Sequence, residues 1–418
     1  MRARVTAGSA DRRVGIGLDG LNFFLADVRD GLGPYLAIYL LTVGHWDAQS
    51  IGIVMTAMGV ASLVAQAPVG ALVDTTRRKR ALIVAAALVI PVAAVGITFT
   101  AAFWPIVAVK VAMGVAAAVF GPAIVAITLG TVGRARFTAR IGRNETFNHA
   151  GNAVAALLAG AVAWAFGIRA LFYMVGGFGL ASIASVLTIP AGAIDHRRAR
   201  GLAQDQGEGA PSGLKVLVEC RPLLVFALCA LLFHLANAAM LPLVGQKLAL
   251  EDQPEAALFM SACIIGAQIV MVPMAMLAGA KADRWGRKAL FLAGFAILPL
   301  RGVLYTLSDA PTWLLAVQLL DGVGAGLFGA LAPLIIDDLT EGTGRFNVSQ
   351  GAVATVQGIG AALSTTLAGV VVVHWGYSDA FLTLAAIAAT GCVVFLVAMP
   401  ETGASALRRR FAPLRARR

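Results

Sequence analysis

The chain has 418 residues, 59% of them hydrophobic and 13% charged, with a mean hydropathy of +0.82. Soluble domains carry about 25% charged residues, so a water-soluble globule of this size is excluded, and so is disorder, which needs low hydrophobicity. The net charge of +11 would suit nucleic acid, but the cations stand in short segments between apolar runs, where they act as topology signals.

Apolar runs long enough to cross a bilayer predict twelve spans, at 16–41, 50–72, 81–100, 103–130, 144–166, 169–190, 222–245, 256–278, 289–307, 313–336, 349–373 and 379–399. The expected fold class is an all-α polytopic membrane protein with short loops and no sizeable soluble domain. Gly33-Pro34 is expected to bend or break the first span. Asp27, Arg29 and Asp30 interrupt the apolar stretch near the start, so no cleaved signal peptide is expected. Placing the amino terminus inside puts 28 of the 33 cations on the cytoplasmic side. Arg169 and Lys247 fall outside, and Arg29, Lys110 and Arg301 fall within spans. This predicts a plasma-membrane protein with both termini cytoplasmic. The basic tail, Arg408 to Arg418, reads as a lipid-headgroup contact. Cys220, Cys229, Cys263 and Cys392 form no CxxC pair and read as small packing residues.

The stretch 192–221 is the longest polar segment and divides the chain into a first six-helix half (1–191), a cytoplasmic linker (192–221) and a second half with a basic tail (222–418). The halves repeat. GALVDTTRRKR from Gly70 and GAKADRWGRKA from Gly279 are offset by 209 residues, as are Ala159-Gly160 and Ala368-Gly369. Phe120-Gly121 against Phe328-Gly329 gives 208, and Leu25-Ala26-Asp27 against Leu235-Ala236-Asn237 gives 210. Both halves start inside, so the repeat is parallel, about an axis along the membrane normal.

Twelve spans, two halves and a G-x-x-x-D-x-x-x-R-[KR] loop after the second span of each half resemble the major facilitator superfamily over nearly the whole chain. Glycine at Gly70 and Gly279 allows close backbone approach. Asp74 and Asp283 stand where a carboxylate can cap a helix amino terminus, with Arg78, Lys79, Arg287 and Lys288 as pairing cations. The resemblance implies that these eight residues form a conformational latch. It also implies that the first, fourth, seventh and tenth spans line a central cavity. In the fourth span the family's basic residue, four before a glycine, is Lys110 in place of Arg. The fifth span has no Gly-Pro pair of the kind drug/proton antiporters carry.

Charges within spans demand a reason. Asp27, Arg29 and Asp30 together cost on the order of 8–10 kcal/mol at the bilayer centre, and helical spacing puts the two acids on one face. At 1.5 Å per residue, Asp27, Asp30, Lys110, His234, Arg301 and Asp321 all fall within roughly 17–21 Å of the cytoplasmic edge. All but Arg301 belong to the cavity-lining spans of the resembled family; Arg301, in the ninth, is placed to pair with a neighbouring helix. Asn148, His149 and Asn152 in the fifth span, Asn237 in the seventh and Gln357 in the eleventh are candidate cavity hydrogen-bonders or packing contacts.

Enzymatic readings fail. Gly15-x-Gly17-x-x-Gly20 matches a dinucleotide pattern without a preceding strand, and the scattered His and Cys residues make no metal cluster. No cofactor or metal is expected. The expected function is proton-coupled secondary active transport by alternating access, with Asp27 or Asp30 as proton carrier. Export of a small polar or anionic organic compound, a drug or siderophore-like metabolite, in exchange for protons is the leading reading. Uptake symport and an uncoupled facilitator or sensor are the alternatives. The expected partners are substrate, protons and the lipid bilayer, not nucleic acid, and the expected state is a monomer.

Overall fold

The computed structural model describes residues 2–30, 32–200, 220–251, 255–340 and 346–402. The side chains of Asp27, Arg29 and Asp30 lie outside the described residues, as do 201–219 of the linker, Arg345 and the tail Arg408–Arg418. Among the described residues there are fourteen α-helices and no strand. They are α1 (Arg2–Asp30), α2 (Gly33–Thr42), α3 (Ala48–Thr75), α4 (Lys79–Ile97), α5 (Phe103–Val132), α6 (Arg134–Phe166) and α7 (Ala170–Thr188). After the linker come α8 (Arg221–Asn237), α9 (Met240–Glu251), α10 (Ala256–Trp285), α11 (Arg287–Leu304), α12 (Pro311–Thr340), α13 (Phe346–Trp375) and α14 (Tyr377–Ala398). Ten stretches, with α8 and α9 counted as one, are long and apolar enough to cross a membrane. The charged α1 with α2, and the 18-residue α11, complete twelve.

The first span is two helices. Leu32 caps α2 at φ 76°, Gly33 follows at φ 42°, and Pro34 stands in the first turn of α2. The seventh span, given by hydropathy as one segment at 222–245, divides as well: Asn237 ends α8, Ala238 and Ala239 turn, and Met240 starts α9. Pro242 has no N–H to give the Ala238 carbonyl. Ser364 of α13 bridges the turn just before this proline, its Oγ accepting from Ala239 N at 2.9 Å and donating to Leu235 O at 2.7 Å. Pro34 and Pro242 are 208 residues apart, so the same break recurs at the repeat interval.

Contacts divide the chain into two units, 1–44 with 57–208 and 45–56 with 209–418. In the first, α1 packs on α6 and α7, and α4 on α5 and α7; in the second, α8 packs on α13 and α14, and α11 on α12 and α14. The glycines behind these approaches recur too. A Cβ at Gly114 of α5 would collide with the Met58 carbonyl of α3, and one at Gly322 of α12 with the Ala267 carbonyl of α10. Gly151 of α6 meets the Phe23 carbonyl of α1 as Gly360 of α13 meets that of Leu231 in α8. These equivalents are all 208 or 209 apart, so the repeat is one of backbone contacts and not only of loop motifs. The Gly17 and Gly20 of the dinucleotide-like pattern lie in α1 against Ser185 and Thr188 of α7. The second unit centres on Phe226, Phe233, Phe291, Phe295, Phe328 and Phe395, with Phe233 and Phe328 stacked at 4.5 Å.

Candidate transport site

The repeated loop is built differently from the way its spacing suggests. A methyl at Gly70 or Gly279 would meet nothing within 4 Å; both stand on half-exposed or exposed helix faces, so neither mediates a close backbone approach. Nor does Asp283 cap α11. Glu401 does: its Oε1 accepts from Arg287 N at 2.9 Å and its Oε2 from Lys288 N at 3.2 Å. Arg287 reaches Asp283 only at 3.5 Å and pairs closely with Asp338 of α12, also donating to Leu334 O at 2.8 Å. The Asp283 side chain is 81% exposed and that of Asp338 12%, which decides where the strong pairing lies. Among the described residues Asp74 forms no ion pair. In the loop of its half the buried cation is Lys79, whose Nζ donates to Val73 O and, at 3.0 Å, to Thr76 O. Arg80 then donates to Leu187 O at 3.0 Å, as Lys288 does to Leu396 O at 2.7 Å. Lys79 thus corresponds to Arg287 and Arg80 to Lys288, one residue out of register with the motif alignment. Helix starts set the correspondence: Arg78 caps α4 and Gly286, at φ 92°, caps α11.

Within the second unit, five predicted residues come together in two groups. Arg301, 1% exposed, extends from α11 to pair through Nη1 with Asp321 of α12, while its Nη2 donates to Asn237 of α8 at 2.7 Å. Three spans therefore meet at one guanidinium. Gln318, one turn before Asp321, donates to its Oδ2 at 3.2 Å and accepts from the Tyr305 hydroxyl; the guanidinium lies 5.8 Å from the Tyr305 ring centroid. Arg301 Nε is buried with no hydrogen-bond partner among the described residues. One turn from Asn237, the His234 Nδ1–H donates to Ala230 O at 2.9 Å, which leaves Nε2 to accept from Gln357 Nε2 at 2.9 Å. This is a neutral imidazole, packed edge-on to Phe328 at 5.0 Å.

In the first unit Lys110 is 3% exposed in α5, one turn before the Gly114 contact. Asn148 lines a cavity of about 180 Å³ with Asn22, Leu25, Gly121, Asn144 and Glu145. Asn152 lies half-buried one turn further along α6, and His149 is exposed. Sequence reasoning missed the charged cluster beside this cavity. Arg143 grips Asp19 with both ends of its fork, at 2.9 and 2.7 Å, and Arg140 adds a third bond at 2.6 Å. Arg140 Nε donates to Asn144, which donates on to Thr128 at 3.1 Å. The signal was present, since Asp19 is a charge inside the first predicted span. Gln318 and Tyr305, being neutral, had none.

Comparison with known proteins agrees with this architecture. The sequence model of the Major Facilitator Superfamily matches residues 18–275 and 226–416. The chain is 54% identical over 403 residues to the uncharacterized MFS-type transporter MT2531 of Mycobacterium tuberculosis (strain CDC 1551 / Oshkosh), covering 96% of each chain. The same figures hold for the uncharacterized MFS-type transporter Rv2456c of strain ATCC 25618 / H37Rv. Among solved structures, a mutant of the nucleoside transporter NupG superposes with a TM-score of 0.78 at 15% identity, over 92% of this chain and 99% of that one. NupG itself gives 0.76 at 14% identity, over 92% and 98%. With twelve spans, a repeated loop and full-length relatives at this identity, the chain belongs to the Major Facilitator Superfamily and is a multi-pass membrane transporter.

Proposed function

We propose that this protein is a proton-coupled secondary active transporter of a small anionic or polar organic compound, working by alternating access with both termini cytoplasmic. The supporting observation is the Arg301–Asp321 pair, buried where α8, α11 and α12 meet. Burial disfavours an uncompensated charge on either partner. Protonating Asp321 frees the guanidinium for an anion; conversely, an anion on Arg301 takes the counter-charge from the Asp321 carboxylate. A carboxylate or phosphate substrate fits the donor set, namely the guanidinium with Asn237 and Gln318 as neutral neighbours. Lys110 and the acids Asp27 and Asp30 supply the corresponding charges in the first unit.

Direction depends on how proton and substrate interact. Export by exchange, the leading expectation from sequence, requires them to compete for one carboxylate, the role proposed for Asp27 or Asp30. At Arg301 and Asp321 the two ligands instead assist each other, and this specific arrangement favours the second reading, proton-coupled uptake. Everted vesicles separate the two. A panel of organic anions is screened by counterflow, and the pH of the vesicle lumen is followed with each active compound. Exchange moves substrate and protons in opposite directions, and symport moves them together. Transport that neither changes lumenal pH nor responds to collapse of the pH gradient refutes proton coupling under both readings.

A further inference from the structure

Between α4 and α7 the first unit has an open groove, made of two cavities of about 530 and 650 Å³ that share Leu88. One end is strongly basic, with Arg77, Arg78, Arg80 and His196 all lining it and no carboxylate among its lining residues. The rest is apolar, walled by Val84, Leu88 and Leu187 and continuing past Pro91 and Leu180. Arg80 Nη2 is spent on Leu187 O, but its Nε is buried and has no hydrogen-bond partner among the described residues. Arg78, which caps α4, and Arg80 and Ala81 of its first turn all line this pocket, so the amino-terminal dipole of α4 faces it.

The internal repeat provides a control. At the equivalent helix start in the second unit, the carboxylate of Glu401 accepts the backbone N–H groups of Arg287 and Lys288. Leu187 and Leu396 accept from the equivalent cations Arg80 and Lys288 and are 209 residues apart. Past them the helix caps Ile189 and Met399, each followed by a proline, are 210 apart, so Glu401 corresponds to Ala191, an exposed residue that lines the basic pocket. The second unit therefore carries its own anion where the first has an alanine. The groove differs likewise. Gly176 and Gly177 of α7 face open space, whereas Ala385, equivalent to Gly176, packs against Gly302 between α11 and α14.

We propose that the α4–α7 groove binds an anionic phospholipid, its phosphate at the start of α4 among Arg77, Arg78 and Arg80 and an acyl chain lying along Leu88 and Leu187. The phosphate takes the place that Glu401 fills in the other half. The acyl chain commits the site to a lipid over a soluble phosphate.

The test uses the full chain, purified and exposed to equal amounts of phosphatidylglycerol and phosphatidylcholine, with bound lipids counted by native mass spectrometry. The wild type is expected to retain phosphatidylglycerol in preference. Arg77→Gln with Arg80→Gln should lower the preference about fivefold per arginine. Ala191→Glu, which supplies an internal carboxylate at the position equivalent to Glu401, should lower it with both arginines in place. Arg197→Gln removes an exposed cation outside the groove and should leave the preference unchanged. Equal binding of the two lipids by wild type, or wild-type preference in both the double variant and Ala191→Glu, overturns the proposal. So does an equal loss in Arg197→Gln, which would mark a general charge effect. Displacement of the lipid by inorganic phosphate or glycerophosphoglycerol at equal concentration overturns the lipid assignment. Should the double variant not fold, the Ala191→Glu result decides.

Discussion

Arg301 and Asp321 satisfy each other across α11 and α12, and the exposure is lopsided: the guanidinium side chain is 1% exposed and the carboxylate 19%. Removing the acid therefore strands a charge that water cannot reach. Asp321→Asn should destabilise the protein by about 3–5 kcal/mol, the usual cost of breaking a buried pair. Arg301→Met combined with Asp321→Leu should recover most of that loss while abolishing transport, since an apolar pair of similar volume removes the buried charge but also the anion and proton sites. Thermal unfolding in detergent reads the first effect and vesicle uptake the second. An Asp321→Asn protein as stable as wild type would show that the pair is not what holds Arg301.

The paired glycines separate packing from loop conformation. Gly114→Ala, Gly322→Ala, Gly151→Ala and Gly360→Ala each drive a methyl into a facing carbonyl, and each should cost about 1–3 kcal/mol. Repeat-related members should be affected alike. Gly70→Ala and Gly279→Ala, with open space around them, should instead be neutral or gain up to about 1 kcal/mol of helix propensity. Melting temperatures of the six variants check this, and a loss at Gly70 as large as at Gly114 would contradict the open geometry.

The fold was legible because hydropathy reports span length directly and the repeat supplied a second, independent register. The charged residues of the site were legible singly, since an ionisable group inside a span is costly enough to announce itself. Their partners were less so. Distance along a helix gives depth but not the direction a side chain faces, so the pairing of the ninth-span Arg301 with a neighbouring helix is legible, while its partners Asn237 and Asp321 are not. The break at Pro242 was hidden because the group that bridges the turn, Ser364, is far away in sequence. The roles of Gly70 and Gly279 were misread for a related reason: a glycine between apolar residues has the same spacing whether it faces a neighbouring helix or open space.

The latch loop yields a third expectation. Spacing nominates Asp283 as the partner of Arg287, whereas the close pairing is with Asp338 and the helix start is capped by Glu401. Asp283→Asn should change stability by no more than about 0.5 kcal/mol, as for other exposed pairs. Asp338→Asn should cost about 2–5 kcal/mol, because it leaves the Arg287 charge unmatched in a water-poor site. Glu401→Gln should lie between them, near the 1 kcal/mol of a lost helix cap. Equal effects at Asp283 and Asp338, measured by denaturation in the same detergent, would restore the reading from spacing.

A last expectation concerns acid. Asp47 stands just before α3, where its Oδ1 accepts from Ser50 N at 2.8 Å and its Oδ2 from the Ser50 hydroxyl at 2.9 Å. Partial burial pushes its carboxyl up, but the hydrogen bonds from the Ser50 amide and hydroxyl outweigh that and hold it below the usual carboxylate value. A lowered folded-state value means the unfolded chain takes up the proton first. The cap therefore contributes fully above about pH 4, the unfolded carboxylate value, and its contribution fades as pH falls through the lower folded value. Asp47→Ala should cost about 0.5–1 kcal/mol at neutral pH, the low end for a cap because the site is exposed. The gap between variant and wild type should be constant from pH 5 to 8, where the carboxyl is ionised in the folded and the unfolded chain alike, and should narrow below about pH 4, the unfolded carboxylate value. A gap that widens on acidification would mean that Asp47 is held protonated, contrary to its acceptor role at the start of α3.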